Sequence, residues 1–168
     1  MSNLKKHYRP KNFSDRVALA FTKFLRLLAD AFFRKKYGHR AVVLETVAAV
    51  PGMVAGMLLH LKSLRKMEDD KGWIKILLDE AANERMHLMT FIEIAKPTLL
   101  ERIIIMIAQL IFIIMYMFIF IISQRTAHRI VGYFEEEAVI SYTEYLKELE
   151  NGQIQDQPAP EIAINYWN

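Results

Sequence analysis

The chain has 168 residues, enough for one domain with a substantial core, and 53% of them are hydrophobic, with 10 Phe and 9 Met, which is apolar for a soluble protein of this size. Only 6 Gly and 5 Pro argue against extended β architecture with many tight turns, and the absence of cysteine excludes disulfides, thiolate metal sites and cysteine nucleophiles. The net charge is +3, and its basic groups cluster at Lys5, Lys6, Arg9 and Lys11 and again at Arg34, Lys35, Lys36, His39 and Arg40. Clusters that flank an apolar helix suit an anionic membrane surface better than nucleic acid, and no interleaved aromatic-basic motif for nucleic acid is present.

Residues 1–14 form a polar, basic N-terminal segment without the apolar stretch of a secretory signal, and residues 15–168 read as one helical domain. The first helix spans residues 14–33, with Ser14 or Asp15 as its cap and a wide apolar arc that includes Leu19, Phe21, Phe24, Leu25 and Leu28. Arg26 and Asp30 lie four apart on it and can pair. A basic linker, residues 34–39, leads to a second helix over 40–66. There Glu45 stands among aliphatic residues in Leu44-Glu45-Thr46-Val47-Ala48, and a carboxylate so placed is costly to bury unless something pairs with it. A polar turn at residues 68–72 precedes the third helix, 73–95, which stops before Pro97.

The third helix carries Asn83-Glu84-Arg85-Met86-His87. Residues at i and i+3 share a helical face, so Glu84 and His87 point the same way. A Glu-x-x-His pair is half of the ligand set of a di-iron carboxylate bundle, though by itself the motif also occurs as a solvated surface pair. The fourth helix, 103–122, is twenty residues long with Gln109 as its polar interruption, a transmembrane candidate by length and hydropathy. The fifth begins near Thr126, carries Glu135-Glu136-Glu137 and ends at Asn151-Gly152. The tail, residues 153–168, contains Pro158 and Pro160 and reads as loop, finishing at Tyr166-Trp167-Asn168.

Helix lengths bring the carboxylates to one level. Glu84 lies 13 residues before Pro97 and Glu135 lies 11 after Gln124, roughly 20 and 16 Å at 1.5 Å per residue, which together match the connecting helix. Glu45 comes within about two helical turns of the same height by the same count. The third helix carries Lys75, Asp79, Glu80, Glu84, Arg85 and Glu93, and the fifth its glutamate triplet, so neither can lie in lipid. The fourth helix, expected between them, then has one face in the protein core. Its other face dips into one leaflet together with the first helix, so the expected topology is monotopic rather than spanning.

Leu44-Glu45-Thr46-Val47-Ala48, Val50-Pro51-Gly52-Met53, Asn83-Glu84-Arg85-Met86-His87-Leu88 and Glu135-Glu136-Glu137-Ala138-Val139 together resemble the alternative oxidases, over about residues 15–168. The resemblance implies an all-α, ferritin-like di-iron four-helix bundle with additional membrane-surface helices. It implies a membrane-bound, cyanide-insensitive ubiquinol oxidase, often a homodimer, that reduces O₂ to water without pumping protons, in a bacterial cytoplasmic or mitochondrial inner membrane. By position it makes Glu45, Glu84 and Glu135, with His87 beside them, the ligands of two irons. It puts the quinol pocket on Arg40, Leu44, Ala138, Ser141 and Tyr142, with Ser141 replacing the family's usual threonine. Asn83, Arg26, Asp30, Tyr166 and Trp167 match polar and aromatic positions around the centre, and Glu136 and Glu137 are expected to pair with neighbours. Tyr142 lies two turns beyond Glu135 on the same face, where its phenol can supply an electron and a proton or bond the quinol; a structural hydrogen bond is the plainer role for a buried tyrosine. His87 fits equally as a direct ligand or as a partner to one.

One departure stands out. The family's second Glu-x-x-His is not present in these residues, and no histidine follows His128. The sequence then reads as a piece of a longer oxidase, or as a non-catalytic fragment. A membrane-surface helical protein whose glutamates make only core salt bridges, and a di-iron oxidase of another quinol such as plastoquinol, are the competing readings.

Overall fold

In the computed structural model, residues 7–33 and 37–167 are described, and within them every regular element is a helix: α1 (Phe13–Phe33), α2 (Tyr37–Lys66), α3 (Trp73–Ala95), α4 (Leu99–Ile122), α5 (Gln124–Glu150) and α6 (Glu161–Trp167). The all-α class read from the sequence is the observed one. Lys5, Lys6 and the cluster at Arg34, Lys35 and Lys36 lie outside the described residues.

Sequence chemistry accounts for the helix ends. α1 is capped by Asn12, one position before its first residue, not by Ser14 or Asp15. The Asn12 side chain accepts the Asp15 amide at 2.9 Å, while the Asp15 carboxylate reaches back to the Lys11 amide at 2.8 Å. α4 begins earlier than its apolar run because Thr98 and Glu101 form a reciprocal capping box. α3 stops at Lys96, whose left-handed backbone returns an N–H to the Ile92 carbonyl before Pro97.

The tail is not all loop. Pro160 accepts the amides of Ala163 and Ile164, and the short α6 that follows is docked on α3. A seven-residue helix has little stability of its own, so tertiary contact holds this one together, which local sequence does not display.

α2 is the central element, touching α1, α3, α4 and α5. Its contact with α3 depends on Gly52: a Cβ there would lie 2.5 Å from the Leu77 carbonyl oxygen and 3.1 Å from the Ala81 Cβ. On the other side, Phe112, Tyr116 and Phe120 of α4, four apart in sequence, bury one stripe against Val50, Val54 and Ala55 of α2 and Ala127 of α5. Each such ring contributes roughly 1.5–3 kcal/mol by leaving water. A second core joins Ala18 of α1 to Ile130 and Tyr133 of α5. His39 and Glu101, 2.9 Å apart, tie the beginnings of α2 and α4.

The expected place of α4 between α3 and α5 is not the observed one. α4 packs on α2 and α5, and among the described residues the α3 backbone packs on those of α2 and α6 and approaches neither α4 nor α5, meeting α5 through side chains such as Phe91 on Tyr142. The reason is the stripe: the buried rings of α4 share one core with Val50, Val54 and Ala55 of α2 and Ala127 of α5. α2 and α4 are both long and apolar enough to cross a membrane, but 56% of the most apolar stretch of α2 is buried inside the protein against 17% for α4. α4 therefore turns most of an apolar helix outward, with Ile107, Leu110, Ile114, Phe118 and Ile121 exposed.

Candidate metal centre and adjoining cavity

Glu45 points from α2 toward α3, where it meets the Glu-x-x-His pair. Ligand atoms of Glu45, Glu84 and His87 all lie within 4.8 Å of one another. His87 Nδ1 is 3.4 Å from Glu84 Oε2 and 3.7 Å from Glu45 Oε2. The close α2–α3 approach at Gly52 is what sets this spacing, since helices held further apart would leave the carboxylates out of reach.

The charges respond to one another. The Glu45 and Glu84 carboxylates, in that order of effect, stabilise the His87 imidazolium and push its pKa up to about 10. Glu84 is held below the usual carboxylate range, chiefly by its hydrogen bond to His87. Burial raises Glu45, and the contacts with His87 and Tyr142 only partly offset it. A cluster rich in carboxylates and short of positive charge, sunk between helices, is what a hard cation neutralises. The donor set fits an iron ion.

Glu135 comes from α5 and is not part of that tight group. It lines the same cavity across the space between α3 and α5. Desolvation first, and then the charges of Glu84, Glu45 and Glu80, push it up to about 7. Asn83, one residue before Glu84, is half-buried on α3.

Beside the cluster lies a cavity of about 890 Å³. Arg40, Leu44, Ala138, Ser141 and Tyr142, all assigned to a pocket by the sequence resemblance, line it together with Glu45, Glu84, His87 and Glu135. Tyr142 donates to Glu45 Oε1, and burial and that carboxylate raise its pKa well above the ordinary phenol range. Its ring stacks on Phe91 at 5.7 Å, a contact the sequence reading missed because Phe91 belongs to no local motif. Arg40, buried, donates to Ser141 Oγ at 3.1 Å and pairs with Asp30 at 2.6 Å. Arg26 pairs with Asp30 at 3.0 Å, as spacing on the first helix indicates, and also with Glu137 on α5. The far wall is apolar, built from Leu25, Ile104, Ile105, Ala108, Phe112 and Met115, among others. Trp167 of α6 stacks on the His87 ring at 5.3 Å, and Tyr166 meets Trp167 edge to face at 4.9 Å.

A helical fold with a carboxylate–imidazole cluster that could hold a metal ion beside a largely apolar cavity is that of a helical bundle with a candidate metal site. The particular family follows from comparison with known proteins. Residues 2–168 match the family described as Alternative oxidase, and the chain belongs to that family. It is 58% identical over 165 residues to "Ubiquinol oxidase 2, mitochondrial" of Arabidopsis thaliana and 58% identical over 165 residues to the protein of that name in Glycine max. It is 56% identical over 165 residues to "Ubiquinol oxidase, mitochondrial" of Mangifera indica. Each alignment covers 98% of this chain, but only 47%, 50% and 52% of the respective relatives, so the chain spans about half the length of the curated relatives it matches.

Proposed function

We propose that these residues form the quinol-binding and metal-holding part of a ubiquinol oxidase that sits on one leaflet of the mitochondrial inner membrane. The observation that carries the reading is the convergence of Glu45, Glu84 and His87 beside an apolar cavity, in a chain 58% identical to proteins named mitochondrial ubiquinol oxidases. Glu45, Glu84 and Glu135, with His87, would hold iron, two ions in the complete site. Bound iron supplies the redox change by which two quinols give four electrons and four protons to one O₂, yielding two quinones and two waters.

The protein's own groups do the rest. The apolar wall suits a hydrocarbon ring and tail. Arg40 fixes the Ser141 hydroxyl, which can accept a bond from a quinol hydroxyl. Tyr142, held neutral and aimed at Glu45, keeps a proton between the cavity and the cluster. Glu135 lines the same cavity as a further carboxylate, its pKa raised to about 7 chiefly by desolvation.

Exposed aliphatic and aromatic groups on α1 and α4, such as Phe24, Leu27, Ile107, Leu110 and Phe118, favour insertion of this face into one leaflet. Pairing of two copies as a homodimer accompanies the family reading.

Metal analysis is the test. In the full-length protein, Glu84→Ala should lose iron and quinol oxidation together, because no nearby carboxylate replaces it. Unchanged iron content and turnover would remove Glu84 from the site. The 168-residue segment alone, with three carboxylates against the four charges of two ferrous ions, should hold at most one iron tightly.

A further inference from the structure

We propose that residues 7–12 are a clasp that sets the polar wall of the cavity, with His7 as a positioning residue for quinol binding; the proposal rests on the quinol-pocket reading above.

The clasp is built on one face of α5. Arg129 places its guanidinium 4.1 Å from the centre of the Tyr8 ring. One turn on, the Tyr133 hydroxyl donates to the Tyr8 carbonyl at 3.1 Å, and a further turn brings Glu136, whose Oε2 accepts the Tyr8 amide at 3.0 Å. His7 then bridges two adjacent carboxylates, with Nδ1 3.0 Å from Glu136 Oε2 and Nε2 2.8 Å from Glu137 Oε1. Each ring nitrogen thus faces an oxygen of a different carboxylate. Glu136 and Glu137, neighbouring carboxylates that would otherwise repel each other, are thereby tied to one group.

From His7 an unbroken polar chain reaches the cavity. The second oxygen of Glu137, Oε2, accepts from Arg26, and Arg26 Nε donates to Asp30 Oδ2 at 3.0 Å. Asp30 Oδ1 takes Arg40 at 2.6 Å, and Arg40 donates to Ser141 Oγ at 3.1 Å. Glu137, Arg26, Arg40 and Ser141 all line the cavity. Glu137 is the joint: one oxygen is held by the clasp and the other by Arg26. With His7 gone, Glu137 is held by Arg26 alone, and the chain through Arg26 and Asp30 to the Arg40–Ser141 pair loses its fixed end. Exposed pairs contribute little singly, but these side chains are mostly shielded and linked, so a loss at one end is felt at the other.

The test compares three substitutions in the full-length, membrane-bound oxidase. A glutamine amide reaches the place of Nε2, so His7→Gln keeps the contact with Glu137. An asparagine amide reaches only the place of Nδ1, so His7→Asn keeps Glu136 alone. The readouts are the affinity for a redox-inert quinone analogue, KM and kcat for ubiquinol, and iron content. We expect His7→Ala and His7→Asn to weaken analogue binding and raise KM about fivefold to tenfold, as for loss of an ordinary hydrogen bond, with kcat and iron content close to the parent. His7→Gln should restore most of the affinity. Wild-type affinity in all three variants, or equal weakening in all three, would overturn the clasp while leaving the functional reading intact. A parent protein that binds no quinone analogue would instead overturn the functional reading, and the clasp with it.

Discussion

The two sides of α2 are packed by opposite rules. Toward α3 the contact is backbone to backbone: Gly52 leaves room for the Leu77 carbonyl, and Gly56 and Ala81 keep the seam narrow. Toward α4 it is ring against branched aliphatic, Phe112, Tyr116 and Phe120 over Val50 and Val54. The first arrangement fixes a distance, because a carboxylate on one helix must meet a carboxylate and an imidazole on the other within the reach of one ion. The second only requires that apolar surface be covered, and α4 passes the requirement outward by exposing its remaining face. Shape is demanded where ligand side chains converge; apolarity suffices where surface has only to be covered.

The largest effect should come from attacking the apolar side. Replacing Ile107 and Ile114 by Lys puts two charges on the exposed face of α4, at a cost of up to about 2.5–3.5 kcal/mol each if that face is in hydrocarbon. Membrane retention of the double variant should fall by two orders of magnitude or more on a vesicle-binding assay, with iron content preserved. Retention equal to that of the parent would place α4 outside lipid. The absence of native cysteine allows a companion measurement. Thr98→Cys and Gln124→Cys, at the two ends of α4, should be labelled by an impermeant reagent from the same side of sealed vesicles. Labelling from opposite sides would mean that α4 spans.

The close seam should fail differently. Gly52→Ala gains helix propensity of about 1 kcal/mol, but its Cβ would stand 2.5 Å from a backbone oxygen, and forcing packed elements apart typically costs about 1–3 kcal/mol. The variant should therefore show a net lower melting temperature and reduced iron content, since the ligands separate with the helices. Gly132 on α5 is the control, because a Cβ there meets nothing within 4 Å. Gly132→Ala should raise stability by about 0.5–1 kcal/mol through helix propensity alone. If both substitutions shift the melting temperature in the same direction, Gly52 is not a close-contact residue.

What was legible in the sequence follows the same division. The extent of α3 was readable to the residue, because a polar turn and Pro97 bracket it, and Glu84 and His87 announce themselves by their spacing. Glu45 was readable as an anomaly, a lone carboxylate in an aliphatic run. The helix-length count brought Glu45 and Glu84 to one level, yet it could not show that the α3 and α5 backbones stay apart, and Glu135 lies outside the tight group. Lateral order depends on which faces fit, and the α4 stripe fits α2. α6 and the contact of Phe91 with Tyr142 were illegible for a related reason: both exist only through tertiary neighbours. His7 falls in a stretch that reads as a polar tail, because nothing local reveals that its partners lie 129 residues on.

The smallest expected effect concerns a region held neither by close backbone nor by apolar cover. Asp15, buried at the start of α1, accepts the Lys11 amide at 2.8 Å and lies 3.4 Å from Arg129. The Lys11 N–H is the main reason its pKa is lowered; burial opposes the shift and Arg129 and Arg125 add to it. The folded-state pKa is thus below the unfolded value of about 3.9, so the ionised carboxylate favours the fold. That contribution is fully present above about pH 4 and is lost as pH falls through the folded-state pKa. Asp15→Asn keeps the size and one acceptor oxygen but removes the charge. Its melting temperature should be lower than the parent's at neutral pH, and the gap should narrow steadily as the pH falls below about 4. A gap that stays constant from neutral to acidic pH would mean that Asp15 acts as a neutral cap, and that the start of α1 is held by shape, as the α2–α3 seam is, and not by charge.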